Sequence, residues 1–388
     1  LAMNDPLGPS IASDSSTLFQ TDAALDEAER RSKLAKLELG SPVKVGSKVL
    51  CMQVTKGDIA WVGCANHTAR RINLKTGTLN RVYQGHGGPV TAIGTGASGE
   101  LYTGSWDKTL RKWDASTREC QRIYQGHTDF VRALVVAPPF LYSGSTDKTL
   151  RRWRISDGQC DRVFEGHTRG IEAMVLLDSG SESEAEAGED KTLLYSASSD
   201  RTIRVWDVES GVCLRVLEGH LTTIYALVPG MDGSDLWSGS ADKDVLQWDL
   251  TLPDGPGEPN KVLPPHPDVI KTLLVTGAGR YLVTGGRDEC VRVWEVSTGK
   301  CVGLFEGHYD EVVALASSTL RASLIYSASL DGTIRQWELT DAGLSSSSRA
   351  RGDALKKTLK APKTSDTGSG GLMTEEEERE LAELMGSD

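Results

Sequence analysis

Long apolar runs are missing from these 388 residues. No stretch approaches the 18 or so that a membrane helix needs, so no membrane partner is expected. No leader with a basic start and an apolar middle opens the chain, and Met3 reads as its natural start. Cysteine is sparse: the seven present form no Cys-x-x-Cys pair. That argues against a disulfide framework or a zinc site and favours a reducing compartment, cytosol or nucleus. A nucleophile elbow, a phosphate-binding glycine loop and metal-ligand spacings are also absent, so neither an enzyme nor a cofactor is expected. A basic surplus is lacking too. The net charge is −11, and Asp178 to Asp190 and Met373 to Asp388 each carry −6 of charge. The rest is close to neutral, which disfavours direct nucleic-acid binding.

What the chain does have is repetition. Six of its seven histidines close the same short run: YQGH ending at His86 and at His127, FEGH at His167, LEGH at His220, LPPH at His266 and FEGH at His308. Successive histidines lie 41, 40, 53, 46 and 42 residues apart. After each comes a turn aspartate and, six residues on, a tryptophan: Asp107 and Trp113, Asp147 and Trp153, Asp200 and Trp206, Asp242 and Trp248, Asp288 and Trp294, Asp331 and Trp337. Between these marks lie short strand patterns, such as FVRALVV, LYSGS, TLRRWRI and CDRVFEG of the third unit (Phe130 to Gly166), bounded by Gly, Asp and Ser. A period of about 40–45 residues carrying Gly-His and Trp-Asp marks resembles the WD40 repeat. The resemblance covers roughly residues 43–340.

That resemblance implies an all-β, seven-bladed propeller of four-stranded blades, with short helical or disordered terminal extensions. It also implies that each His, a Ser or Thr of the second strand, the Asp and the Trp form one hydrogen-bonded network. The third unit supplies His127, Ser143, Asp147 and Trp153, and the fourth His167, Ser196, Asp200 and Trp206. Repetition in six units makes the histidines structural rather than catalytic or metal-binding. The first unit departs from the pattern, with Val62, Asn66 and Ile72 at the Ser/Thr, Asp and Trp positions; it still counts as a blade, because its strand lengths align. Two segments compete to close the ring. Ala354 to Pro362 aligns with other outer strands and is slightly preferred over Pro42 to Val45. The expected division is therefore an extension over 1–42, a propeller over 43–362 and a linker with an acidic tail over 363–388. Cys120, Cys160, Cys213 and Cys301 each start an outer strand and read as small packing residues. The arginine two before the tryptophan (Arg111, Arg151, Arg204, Arg292, Arg335) recurs with the repeat and reads as structural.

Irregularities mark the remaining candidates. The extra residues Asp178 to Asp190 join a first and second strand, and Thr251 to Asn260 join a third and fourth; both fall on the face opposite the Gly-His turns. Ser179, Ser181 and Ser183 each precede a Glu by three residues, which suits an acid-directed kinase. Asp22 to Leu39 has helical composition. The tail opens with a capping box, Thr374 and Glu377, and then sets Leu381, Leu384 and Met385 at helical spacing, a stripe suited to a partner's groove. The family usually binds peptides on the Gly-His face around the central channel. The repeat places Trp106, Arg132, Glu172, Tyr225, Lys271 and Arg287 there, with Lys271 and Arg287 of one unit suited to gripping a carboxylate or phosphate. The expected function is a non-enzymatic scaffold in a multiprotein complex, with this face and the tail as two protein-binding surfaces. One alternative is a substrate receptor of a ubiquitin ligase, though residues 1–42 hold no F-box-like segment and no WDxR box follows any tryptophan. Another is a subunit of an RNA-processing complex.

Overall fold

The computed structural model describes residues 39–96, 99–179, 191–251, 259, 261–340 and 343–344. The expected helix over Asp22 to Leu39 (all but its last residue), most of the acidic insertion, Ala354 to Pro362 and the tail with Leu381, Leu384 and Met385 lie outside these residues.

Twenty-eight strands form seven four-stranded antiparallel sheets, each a blade. Blades 1 to 6 are each built from four consecutive strands, blade 1 running from Val49–Thr55 to Thr78–Gln84 and blade 6 from Ile270–Thr276 to Cys301–Phe305. The irregular first unit is thus a full blade. Its Val62 pairs with Arg70 as Ser143 pairs with Arg151 in blade 3. Blade 7 takes Val312–Ser317, Leu324–Ser329 and Thr333–Glu338 from the C-terminal end and its outer strand, Val43–Lys44, from the N-terminal side. Val43 pairs with Ile334 and Lys44 with Thr333. The N-terminal segment therefore closes the ring, correcting the preference for Ala354 to Pro362. Among the described residues no strand follows Thr333–Glu338. Leu344 N–H donates to Thr340 O at 2.8 Å, and the Leu344 side chain is buried over Gly303. A Cβ there would come within 2.5 Å of Leu344 Cδ2.

The core lies between blades. Among the described residues, each of the seven interfaces between neighbouring sheets holds one apolar cluster. Between blades 3 and 4, for example, Tyr142, Leu150 and Phe164 meet Ile171, Leu194 and Trp206. Second strands are buried on both faces, which is why they read as LYTGS or LYSGS rather than as an alternation. Their glycine answers a close approach: a Cβ on Gly144 would meet Ile171 Cγ2 of the next blade at 2.7 Å. The outer strands of blades 2, 3, 4 and 6 each carry a bulge after their first residue, a cysteine whose thiol reaches the carbonyl two residues on (Cys160 to Arg162 at 3.4 Å). Cys120 and Cys301 are exposed, so the packing role expected of all four does not hold for these two.

Candidate functional site

The hydrogen-bonded networks build the face that carries the Gly-His turns, here the top. In blade 3, Trp153 Nε1–H donates to Ser143 Oγ at 2.8 Å, His127 Nε2 lies 2.7 Å from the same oxygen, and His127 Nδ1 lies 2.7 Å from Asp147 Oδ2. The circuit closes if the serine hydroxyl donates to Nε2 and Nδ1–H donates to the carboxylate, which assigns the neutral tautomer. The same set recurs through His86, Thr103, Asp107 and Trp113; His167, Ser196, Asp200 and Trp206; His220, Ser238, Asp242 and Trp248; and His308, Ser327, Asp331 and Trp337. His–Asp distances there run from 2.7 to 2.9 Å. The aspartate also caps both turns, so one side chain ties two loops together: Asp107 accepts from Gly87 N–H at 2.9 Å and Thr109 N–H at 3.0 Å. Burial alone would raise the Asp107, Asp147 and Asp200 carboxyls, yet the histidine and threonine hydrogen bonds outweigh it and hold all three well below the usual range. Asp242 is held at about 2, its burial outweighed by His220 and by the Leu221 and Asp244 N–H groups. Burial pushes His86 and His308 below the ordinary imidazole value, against the pull of their aspartates.

Blade 6 breaks this rule. His266 Nδ1 is 3.9 Å from Asp288 and instead lies 3.1 Å from Asp268 O, while buried Nε2 has no partner. Asp288 receives Arg292, at 3.1 and 2.9 Å. In blades 2, 3 and 4 the corresponding arginine lies against the glycine of the Gly-His pair: a Cβ on Gly126, at φ +154°, would meet an Arg151 nitrogen at 2.9 Å. Pro265 stands at that position in blade 6, where any side chain would crowd a guanidinium so placed. Trp294 still donates to Thr284, at 3.0 Å. The expected network of His266, Asp288 and Trp294 is therefore present only in its tryptophan limb. In blade 1, where the network residues are replaced, Asn66 accepts from Thr68 Oγ1 at 2.8 Å.

On this frame the predicted top-face residues pair across blade boundaries. Arg132 of blade 3 grips Glu172 of blade 4 at 3.0 and 2.7 Å, and Glu172 also accepts from Ser199 at 3.0 Å. Lys271 of blade 6 places its ammonium 3.6 Å from the ring centre of Tyr225 in blade 5. Arg287 reaches Glu311 of blade 7 at 3.8 Å and stays largely exposed. Lys271 and Arg287 thus turn toward opposite neighbours instead of forming the joint anion grip expected of them. Trp106 of blade 2 stacks on Phe130 of blade 3, with centroids 4.8 Å apart and planes inclined by 17°, and the two remain 38% and 37% exposed. Phe130 was not among the sequence candidates, because it reads as the first residue of an apolar inner strand. Its one distinguishing sign is position: the equivalent residues are Pro89, Gly170, Thr223, Val269 and Glu311, none aromatic. Among the described residues no cluster of His, Cys, Asp and Glu suits a metal ion, and no helix is long and apolar enough to cross a membrane.

Known proteins point the same way. The family described as "WD domain, G-beta repeat" matches residues 77–114, 118–154, 158–207, 211–249, 257–295 and 299–338, each match taking the outer strand of one blade and the first three strands of the next. An uncharacterized WD repeat-containing protein of Schizosaccharomyces pombe is 30% identical over 343 residues, covering 84% of this chain and 89% of that protein. Shorter likenesses reach a nuclear distribution protein PAC1 of Arthroderma otae (28% over 170 residues, 39% of this chain and 36% of that one) and a probable E3 ubiquitin ligase complex SCF subunit sconB of Emericella nidulans (32% over 145 residues, 33% and 20%). With six matched repeats, a relative aligned along most of its length and the seven blades in place, the chain belongs to the WD40 repeat family.

Proposed function

We propose that this propeller is a non-enzymatic scaffold that receives a protein partner on its top face, between blades 2 and 7. The observation that carries this reading is the exposed Trp106–Phe130 stack, bordered by charged residues already paired across blade boundaries. Two adjacent aromatics, half open to water and held flat by each other, offer apolar area at little entropic cost, and such residues dominate interface energetics. Arg132, Glu172, Tyr225, Lys271 and Arg287 would orient the partner through the outward edges of their pairs. A second partner is proposed for the acidic tail through Leu381, Leu384 and Met385, on sequence grounds alone. The partners are proteins of the cytosol or nucleus rather than nucleic acid or membrane. The likeness to a ubiquitin-ligase subunit covers only 20% of that protein, so it lends little weight to a receptor reading here. A photo-crosslinking amino acid at Phe130, compared with one at Met231 on the opposite face, tests the proposal in cells. A partner captured from position 130 and not from 231 is the expected result, and equal capture or capture from 231 alone would overturn it.

A further inference from the structure

We infer that the cleft between blades 1 and 2, on the face opposite the Gly-His turns, binds an oxyanion, a carboxylate or phosphate carried by a ligand, through Arg71 and Arg81. The repeat itself provides the comparison. In blades 1, 2 and 3 the residue before the tryptophan position is a cation facing another cation across the strand pair: Arg71 opposite Arg81, Lys112 opposite Arg122, and Arg152 opposite Arg162. Like charges directly opposite on neighbouring strands repel. Blade 3 relieves this with carboxylates. Arg152 is held by both oxygens of Asp161 at 3.1 Å, and by Glu209 of blade 4 at 3.1 Å. In blade 2, Lys112 lies 3.5 Å from Glu100.

Blade 1 has no such carboxylate. The bulge position that holds Asp161 in blade 3 holds neutral Asn80, and among the described residues no acid lies within ion-pairing distance of Arg71. Its guanidinium rests over Trp61, 5.5 Å from the ring centre, which fixes the plane and leaves its N–H edge for a ligand. Arg81 bonds the backbone carbonyls of Ala115 and Ser116, so its position is set as well. Both side chains line an open cleft of about 540 Å³ with Trp61, Lys112 and Ser116; its two carboxylates are engaged elsewhere, Glu100 with Lys112 and Asp114 with the Ser116 and Thr117 N–H groups of its own turn. That volume suits a side chain or small ligand. An oxyanion there would stand where Asp161 stands in blade 3, neutralising the cross-strand pair and accepting charge-assisted hydrogen bonds.

The test uses the full chain, with inorganic phosphate and triglutamate titrated separately against wild type, Arg71→Gln and Asn80→Asp. The readouts are the Arg71 side-chain Nε–H resonance and the thermal midpoint. Wild type should shift on both readouts with at least one anion, and the responding anion tells phosphate from carboxylate. Arg71→Gln should bind roughly tenfold more weakly or worse. Asn80→Asp supplies the missing carboxylate from within, so it should melt higher without ligand and bind anions more weakly. An Arg71 resonance unmoved by either anion, or anion responses unchanged in both variants, would overturn the inference. Neither variant touches the top face, so this result is independent of the scaffold reading.

Discussion

A buried histidine is a liability unless both ring nitrogens are engaged, and six blades here expose that cost to comparison. His127 serves Asp147 and Ser143 at once, whereas His266 has a buried Nε2 without a partner. Replacement should therefore be unequal. His127→Leu takes from both Asp147 and Ser143 their imidazole partner in a buried network and should cost about 1–3 kcal/mol in urea unfolding. His266→Leu removes an orphaned polar atom together with a single contact to a carbonyl, and should cost clearly less. Equal losses would show that the distance in blade 6 has no energetic meaning. The same residues set the response to acid. Asp242 titrates at about 2 in the fold and near 3.8 in the unfolded chain. The unfolded state takes up the proton first, so this contribution is full above about pH 4 and is lost as pH falls toward 2. His86 and His308 are lowered from 6.5, so unfolding takes up protons below that value and their contribution also declines on acidification. Urea midpoints measured across pH should stay level between about 7 and 8, begin to fall below about 6.5 and fall steeply below 4. A midpoint that rises on acidification contradicts the assignment.

Blades 2 to 6 were legible as elements because each leaves its marks: a turn before the inner strand, a small residue where the next blade presses and a polar turn, followed in all but blade 5 by an outer strand of five or six residues. Blade 1 was readable from strand lengths alone. Closure was not. The closing strand is two residues long, too short to show any period, while Ala354 to Pro362 mimics an outer strand in composition. A second tie that no motif announces supplements the short strand. Asp58, at the far end of blade 1, is buried and accepts from Ser318 Oγ at 2.9 Å, Thr319 N–H at 2.9 Å and Tyr326 O–H at 3.1 Å, all of blade 7. Burial, with the Asp58 carboxylate beside it, pushes the Tyr326 phenol up to about 12. Asp58→Ala should destabilise the protein by about 1–3 kcal/mol through three orphaned donors. Removing residues 1–46 should destabilise it further, and ending the chain at residue 348 should leave the unfolding midpoint unchanged. A stable ring without residues 1–46 would contradict closure by Val43–Lys44.

At the scale of the molecule, seven like sheets share seven like interfaces, and the side chains that differ among them mark where function departs from architecture. The repeat made the fold readable almost throughout, since His, Asp and Trp are held to one geometry in five blades. The face proposed to bind a partner was only partly readable. Its positions follow from the repeat, so Trp106, Arg132 and Tyr225 could be placed on it, but their pairings across blades could not. Contacts such as Arg132 with Glu172, or Lys271 over Tyr225, join residues some 40 to 46 positions apart and leave no local pattern. Phe130 was hidden for the related reason that an aromatic beside a strand looks like core. The most direct test of the scaffold claim is quantitative affinity purification with mass spectrometry, comparing wild type with Trp106→Ser/Phe130→Ser, both folded by circular dichroism. The account predicts that a defined set of partners drops at least tenfold in the double variant while the remainder, held elsewhere, persists. Partner sets that are indistinguishable between the two proteins would contradict it.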